Sequence, residues 1–244
     1  MRFSFQLSLN PRSDSFFLPT DYRIGLASLF KEALNPENRE KISEIYEKYY
    51  GDKTANRMKP FSFASYIPEV RASDQKLFFP SGEIQVHFTS DDYEMILMIY
   101  NGLIAIHQKN TAYPFYQYHA RPEKIFLHPK KTITGEEACF KTLSPLVVNQ
   151  IENKKAFAQL EFLHPLFREN LYHSIKTLYG SDFTPFDFQP LKMKTAGVPH
   201  YGKRIPVNQG TFLLKAPAPV LQKIYDAGIG ARRSQGFGML EVMG

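Results

Sequence analysis

Apolar and polar side chains alternate at the start of the chain, with Phe3, Phe5, Leu7 and Leu9 set against Arg2, Ser4, Gln6 and Ser8. A period of two over this length predicts a strand with one buried face. Pro19-Thr20-Asp21 then signals a helix start, and Leu26, Leu29, Phe30, Ala33 and Leu34 recur at helical spacing. A second helix is expected after Asn35-Pro36, carrying Ile42, Ile45, Tyr46 and Tyr49 on one face. Strands are expected over 61–67 and 76–88. Ser90 is placed to cap a third helix whose apolar stripe is Tyr93, Ile96, Leu97, Tyr100 and Ile104, and a further strand falls within 112–128. The order β-α-β-β-α-β, with one additional helix, describes a ferredoxin-like unit.

The second half repeats the order. A strand near Ala138–Leu143 leads to Ser144-Pro145 and the apolar Leu146-Val-Val148. Pro165 opens a helix with Phe167, Leu171, Ile175 and Leu178, and strands follow near 187–195 and 203–216. Pro217 starts a short helix with Leu221, Ile224 and Tyr225, Gly228 ends it, and a last strand closes the chain. The expectation is an α+β protein of two tandem ferredoxin-like units, residues 1–130 and 131–244.

Composition narrows the setting. The 244 residues suffice for two units with real cores, and the apolar and charged fractions are those of a globular protein. Cys139 is the only cysteine, so no disulfide framework is expected. The longest apolar stretch, Met95 to Ile106, is broken by Asn101 and Gly102, and neither a signal peptide nor a spanning helix is expected. A reducing, cytoplasmic location without membrane attachment follows as the expectation.

Charge is unevenly placed. Between Phe188 and Leu240 stand Lys192, Lys194, Lys203, Arg204, Lys215, Lys223, Arg232 and Arg233 against Asp226 alone, whereas the whole chain carries a formal charge of only +6. Such a region suits a polyanionic partner, usually nucleic acid; a merely solvated basic face is the alternative. Inside it, Gly228, Gly230, Gly236 and Gly238 bracket the arginine pair. A glycine loop holding two guanidinium groups suits a phosphate chain, although an ordinary tight turn has the same composition. It is not a dinucleotide fingerprint, because it follows a helix and opens a strand. His200 lies in Gly197-Val-Pro-His200-Tyr-Gly-Lys-Arg204, expected to be a flexible basic loop. Aromatic-rich Tyr113-Pro-Phe-Tyr-Gln-Tyr-His119 suits either a packed hairpin or stacking on unpaired bases. His164 needs no role beyond capping, and His87 alternates away from its strand's core.

Met1-Arg2-Phe3, Leu18-Pro19, Gly102-Leu103 (placed after the third helix), Thr142-Leu-Ser144-Pro145-Leu-Val-Val148 and the closing Gly-Ile-Gly…Gly-Phe-Gly-Met block together resemble the RAMP superfamily of CRISPR-associated proteins. Within it, the chain resembles the endoribonucleases that cut CRISPR repeat transcripts into guide RNAs. The resemblance implies metal-free cleavage without a cofactor. The 2′-hydroxyl attacks the adjacent phosphorus, leaving a 2′,3′-cyclic phosphate and a 5′-hydroxyl. It also implies CRISPR repeat RNA as partner, with effector-complex subunits and a second copy of the chain as further candidates. RNA contact is then expected at Lys192, Lys194, His200, Lys203, Arg204, Gly228, Gly230, Arg232, Arg233, Gly236 and Gly238.

At the active site the chain departs from the family pattern. A tyrosine in helix one, a histidine near helix two and a lysine beyond are usual. Counting from Leu18-Pro19 puts Lys31 at the tyrosine position, Tyr46 at the histidine position and Lys59 at the lysine position, after an insertion holding Lys53 and Arg57. Tyrosine is a poor proton shuttle compared with imidazole. Three readings stay open: slow catalysis by positioning and charge with a tyrosine as proton carrier, a histidine supplied from elsewhere, or repeat binding with little cutting. A ferredoxin-like nucleotide cyclase would need a metal-binding carboxylate pair, and none is placed by the sequence.

Overall fold

The computed structural model describes residues 1–11, 15–34, 44, 48–49, 59–73, 75–109, 113–152 and 155–243. β1 (Arg2–Asn10), β3 (Phe61–Tyr66), β6 (Glu83–Ser90), β7 (Tyr113–Phe115) and β8 (Tyr118–His128) form one antiparallel sheet in the order β3-β6-β1-β8-β7. Helices α1 (Arg23–Ala33) and α2 (Tyr93–Gln108) connect its strands. The alternation of β1 does what its period requires: Phe3, Phe5, Leu7 and Leu9 are all buried. They meet Leu26, Leu29, Phe30 and Ala33 of α1 in one core.

Several local expectations are corrected. The run 76–88 is two strands, because Pro80-Ser81-Gly82 turns the chain between them. β5 (Lys76–Phe79) leaves the main sheet and joins β2 (Phe16–Pro19) and β4 (Arg71–Ser73) in a small one. Ser90 is not the cap of α2. Asp92 is, its carboxylate accepting from the Met95 amide at 3.0 Å, while the Ser90 hydroxyl donates to the Pro60 carbonyl at 2.6 Å. The buried stripe is Met95, Ile96, Ile99 and Leu103, whereas Tyr93 and Leu97 are exposed. Apolar residues surround this helix nearly all the way round, so periodicity alone could not choose its phase. Gly102 chooses it. The residue lies inside α2, not after a helix, and a Cβ there would fall 1.9 Å from the Ala33 carbonyl oxygen of α1. The expected second helix lies outside the described residues except for positions 44, 48 and 49, of which Tyr49 packs against the first core.

In the second unit β9 (Glu137–Thr142), β12 (Asp187–His200), β13 (Lys203–Lys215) and β14 (Leu240–Met243) form an antiparallel sheet in the order β12-β13-β9-β14. α3 (Phe167–Tyr179) and α4 (Ala218–Ala227) connect them, and β10 (Asn149–Glu152) pairs with β11 (Lys155–Gln159) in a separate hairpin. In both sheets the first strand of the unit sits between the third and the fourth, with the second outside the third. That is the ferredoxin-like order, twice. The 197–204 segment is a correction: pairing continues to His200–Lys203, so it is a hairpin and not a loose loop.

Polar contacts join the units. Arg2 donates to the Tyr225 carbonyl, stands 3.5 Å over the Tyr225 ring and pairs with Glu241 at 3.3 Å. The Thr89 hydroxyl donates to the Asp226 carbonyl at 2.7 Å, and Lys223 pairs with Asp91 at 2.6 Å. Among the described residues no helix is long and apolar enough to cross a membrane.

Candidate functional site

The glycine loop is clasped by the Ser-Pro element. Gly238 N–H donates to the Pro145 carbonyl at 2.8 Å, the Ser144 hydroxyl accepts from the Met239 amide at 2.9 Å, and Ala231 N–H donates to the Val147 carbonyl. Two motifs far apart in sequence are therefore one structure. The glycines face protein. Gly228 and Gly236 lie at positive φ where a Cβ would fall 2.4 Å from Ser62 Oγ and 2.8 Å from the Phe63 ring, both on β3 of the other unit. A Cβ at Gly230 would fall 2.4 Å from the Val147 carbonyl oxygen, and one at Gly238 1.9 Å from that of Ile229. The amides of Gly228, Gly236 and Gly238 already donate to the Ile224, Arg233 and Pro145 carbonyls. This loop wedges the units together.

The arginine pair divides. Arg233 is buried, donates to the Ala227 carbonyl at 2.9 Å, and burial pushes its guanidinium down to about 10. It holds the loop against α4, which corrects its expected place at an RNA surface. Arg232, half-buried at φ +59°, donates to Gln235 Oε1 at 3.2 Å. The same oxygen accepts from His200 Nε2 at 2.8 Å. His200 is only 3% exposed, stacked edge-on against Phe237 and Tyr201. Burial holds its pKa below the usual 6.5, the Gln235 bond opposing this. So His200 is a neutral ring that orients Gln235, not an exposed loop histidine.

Beside Gln235 lies a cleft of about 240 Å³ lined by Ile24, Ala27, Ser28 and Lys31 of α1, Lys59 before β3, Tyr201 at the hairpin tip, and Ser234 and Gln235 of the loop. Lys31 is exposed and Lys59 half-buried. Burial, and then the charge of Lys31, hold the Lys59 amine below its ordinary value. Two of the three expected catalytic residues thus meet on one cleft, against the loop of the other unit. The third, Tyr46, lies outside the described residues, as do Lys53 and Arg57.

Lys192 and Lys194 line a second, larger groove of about 790 Å³ together with Arg23, Lys141, Thr142, Ser144 and Gly210. Sequence reasoning missed Arg23 and Lys141 because nothing local marks them; only the register of β9 beside β13 brings Lys141 there. Lys203 and Arg204 are exposed near the far end of the hairpin, with Arg204 folded across Gly197. Asn208 was missed too. Its buried amide accepts from Phe162 N–H at 2.7 Å and donates to the Leu160 carbonyl at 2.9 Å, fixing the segment after the clasp. Away from the cleft, His164 does not cap α3, whose N-cap is Leu166 without a side-chain cap; its Nδ1 instead accepts from Leu166 N–H at 3.2 Å, and His87 stacks on His128 with centroids 6.1 Å apart. Among the described residues no group of three or more His, Cys, Asp or Glu could hold a metal ion.

Two ferredoxin-like units, joined through a clasped glycine loop, make a tandem ferredoxin-like protein. Residues 127–242 match the family described as CRISPR associated protein Cas6, C-terminal, so the second unit carries the Cas6 pattern and the resemblance to CRISPR-associated RAMP proteins holds. No curated protein sequence matches the chain significantly. Among solved structures, a Cas6-related protein from Pyrococcus furiosus superposes with a TM-score of 0.79 at 19% identity, covering 100% of this chain and 98% of that one. A protein described as an RAMP protein binding different RNA substrates gives 0.77 at 18%, with 100% of both chains covered. A Cas6 product complex gives 0.66 at 16%, covering 99% of each. At these identities the likeness establishes a shared fold along the whole chain.

Proposed function

We propose that the chain binds CRISPR repeat RNA along its basic grooves and cuts it at the Lys31–Lys59 cleft. The observation that carries this reading is the convergence of both lysines on the loop of a unit that matches Cas6. The 2′-hydroxyl beside the scissile bond attacks phosphorus, the bond to the 5′ oxygen breaks, and a 2′,3′-cyclic phosphate and a 5′-hydroxyl result. Lys59, an ammonium made more acidic by its surroundings, hands a proton to the departing 5′ oxygen. Lys31 adds positive charge where the phosphorane gathers negative charge. The 2′ proton leaves to water, so turnover is slow. Phosphate contacts from Lys192, Lys194, Arg232, Lys203 and Arg204 hold the strand and weaken with salt.

A second reading, repeat binding without cutting, is favoured by one observation: among the described residues no histidine lines the cleft, and His200 is buried and committed to Gln235. One experiment separates the two. The purified protein is incubated in EDTA with labelled cognate repeat RNA, beside a copy carrying a single 2′-deoxy substitution at the cut site. Cleavage of the unmodified RNA alone supports the 2′-hydroxyl mechanism. Tight binding with both RNAs intact makes the protein a repeat-binding one.

A further inference from the structure

Two hairpins, one from each unit, end beside the N-terminal half of α1. Their two-residue turns are Tyr116-Gln117, between β7 and β8, and Tyr201-Gly202, between β12 and β13. The first turn residue is tyrosine in both, with φ of +56° and +48°. Glycine, asparagine or aspartate sits there without difficulty, whereas a bulky aromatic strains the backbone. Strain of this kind persists where the side chain is needed. Neither ring is fully buried, Tyr116 being 43% and Tyr201 58% exposed, although Tyr116 also packs edge-on against Phe115.

The surroundings point to a ligand. The Tyr116 ring lies over Gly25 of α1, where a Cβ would fall 2.8 Å from its edge. Tyr201 lines the cleft that holds Lys31 and Lys59. The two phenols are near enough for Tyr201 to bear on the ionisation of Tyr116. Tyr113, next to this turn, is held by a 2.9 Å bond from its hydroxyl to Ser28 Oγ, which fixes the hairpin on the helix. Part-exposed aromatic side chains, Tyr201 among them beside the ammonium groups of Lys31 and Lys59, suit a polyanion that carries flat, uncharged rings. Single-stranded RNA has that chemistry, while duplex bases already stack on one another.

We infer that Tyr116 and Tyr201 form a stacking subsite for an unpaired nucleobase next to the Lys31–Lys59 cleft. The inference rests on the RNA-binding reading above, and its test tells the two apart. Fluorescence anisotropy is measured with fluorescein-labelled oligoadenylate RNA and with an abasic ribose-phosphate oligomer of equal length. Wild-type protein should bind the oligoadenylate more tightly. Tyr116→Ala and Tyr201→Ala should each lose about tenfold on oligoadenylate and nothing on the abasic oligomer. Tyr201→Phe, which keeps the ring, should bind as wild type does. Tyr201→Asn relaxes the turn, so it should match or exceed the wild-type Tm while losing the same tenfold. That result separates stacking from misfolding. Equal losses on both oligomers, unchanged oligoadenylate affinity in both alanine variants, or a Phe variant as weak as the Ala variant would overturn the subsite. Failure of wild-type protein to bind either oligomer would overturn the subsite, and failure to bind labelled cognate repeat RNA as well would overturn the RNA reading itself.

Discussion

The two units share one strand order and part company at the connection into their last strand. In the first unit the chain leaving α2 forms the β7–β8 hairpin, whose tip at Tyr116 is exposed. In the second, the chain leaving α4 is the glycine loop, bonded to Ser144, Pro145 and Val147 and pressed against β3. First helices differ as well. α1 offers Lys31 to the cleft, while α3, its counterpart, lines a separate pocket with Glu169, His173 and Lys176. The difference teaches that the site is no property of the repeated unit. It arises because one unit contributes a helix face and the other a loop clasped by its own Ser-Pro element.

The comparison is broken most severely at Gly238. A Cβ there would lie 1.9 Å from the Ile229 carbonyl oxygen, at φ +71°. Gly238→Ala should cost about 3 kcal/mol, from left-handed strain plus overpacking. Gly180→Ala, at the end of α3 with open space around it, should cost only about 1 kcal/mol. Urea unfolding of both variants checks this, and equal costs would deny the loop its clasped role.

Next in size is Lys59→Ala, which should slow RNA cutting about a hundredfold while weakening binding far less. Single-turnover cleavage beside anisotropy reads both, and equal losses would reduce Lys59 to a docking residue. The arginines sharpen the contrast within the loop. Arg233→Ala should lower stability by about 2 kcal/mol through loss of a buried charge-assisted bond. Arg232→Ala should leave Tm nearly unchanged and reduce the salt slope of RNA binding by about one. Reversal of that pattern would mean that Arg232, not Arg233, holds the loop.

The smallest effect is on acid stability. Burial is the main cause that holds both His87 and His200 below the usual 6.5. The unfolded chain takes up protons near that pH and the folded chain only at lower pH, so stability present at neutrality is lost as pH falls below 6.5 toward the native values. His87→Gln combined with His200→Gln should make Tm less sensitive to acidification. A slope as steep as that of the wild type would show that other groups carry it.

Strand β1, helix α1, the Ser-Pro element and the glycine block are all legible in the sequence, because each announces itself through a local period or a local backbone demand. Lys31 and Lys59 are reachable only through the family resemblance, since an exposed lysine on a helix looks the same whether or not a second one faces it. Arg232 and Arg233 are chemically identical neighbours, and only the fold turns one inward. Likewise His200 reads as a loop residue among glycines and basic side chains until the β12–β13 register extends to the hairpin tip. Periodicity and turn chemistry are written in adjacent residues, so the sequence by itself determined the strands of the two main sheets, most helices and the doubled ferredoxin-like order, but not the small β2-β5-β4 sheet or the β10–β11 hairpin. Burial, charge proximity and the clasp depend on which distant segments meet. The tertiary structure alone decided that the glycines face protein, that two lysines share a cleft, and that two strained tyrosines stand beside it.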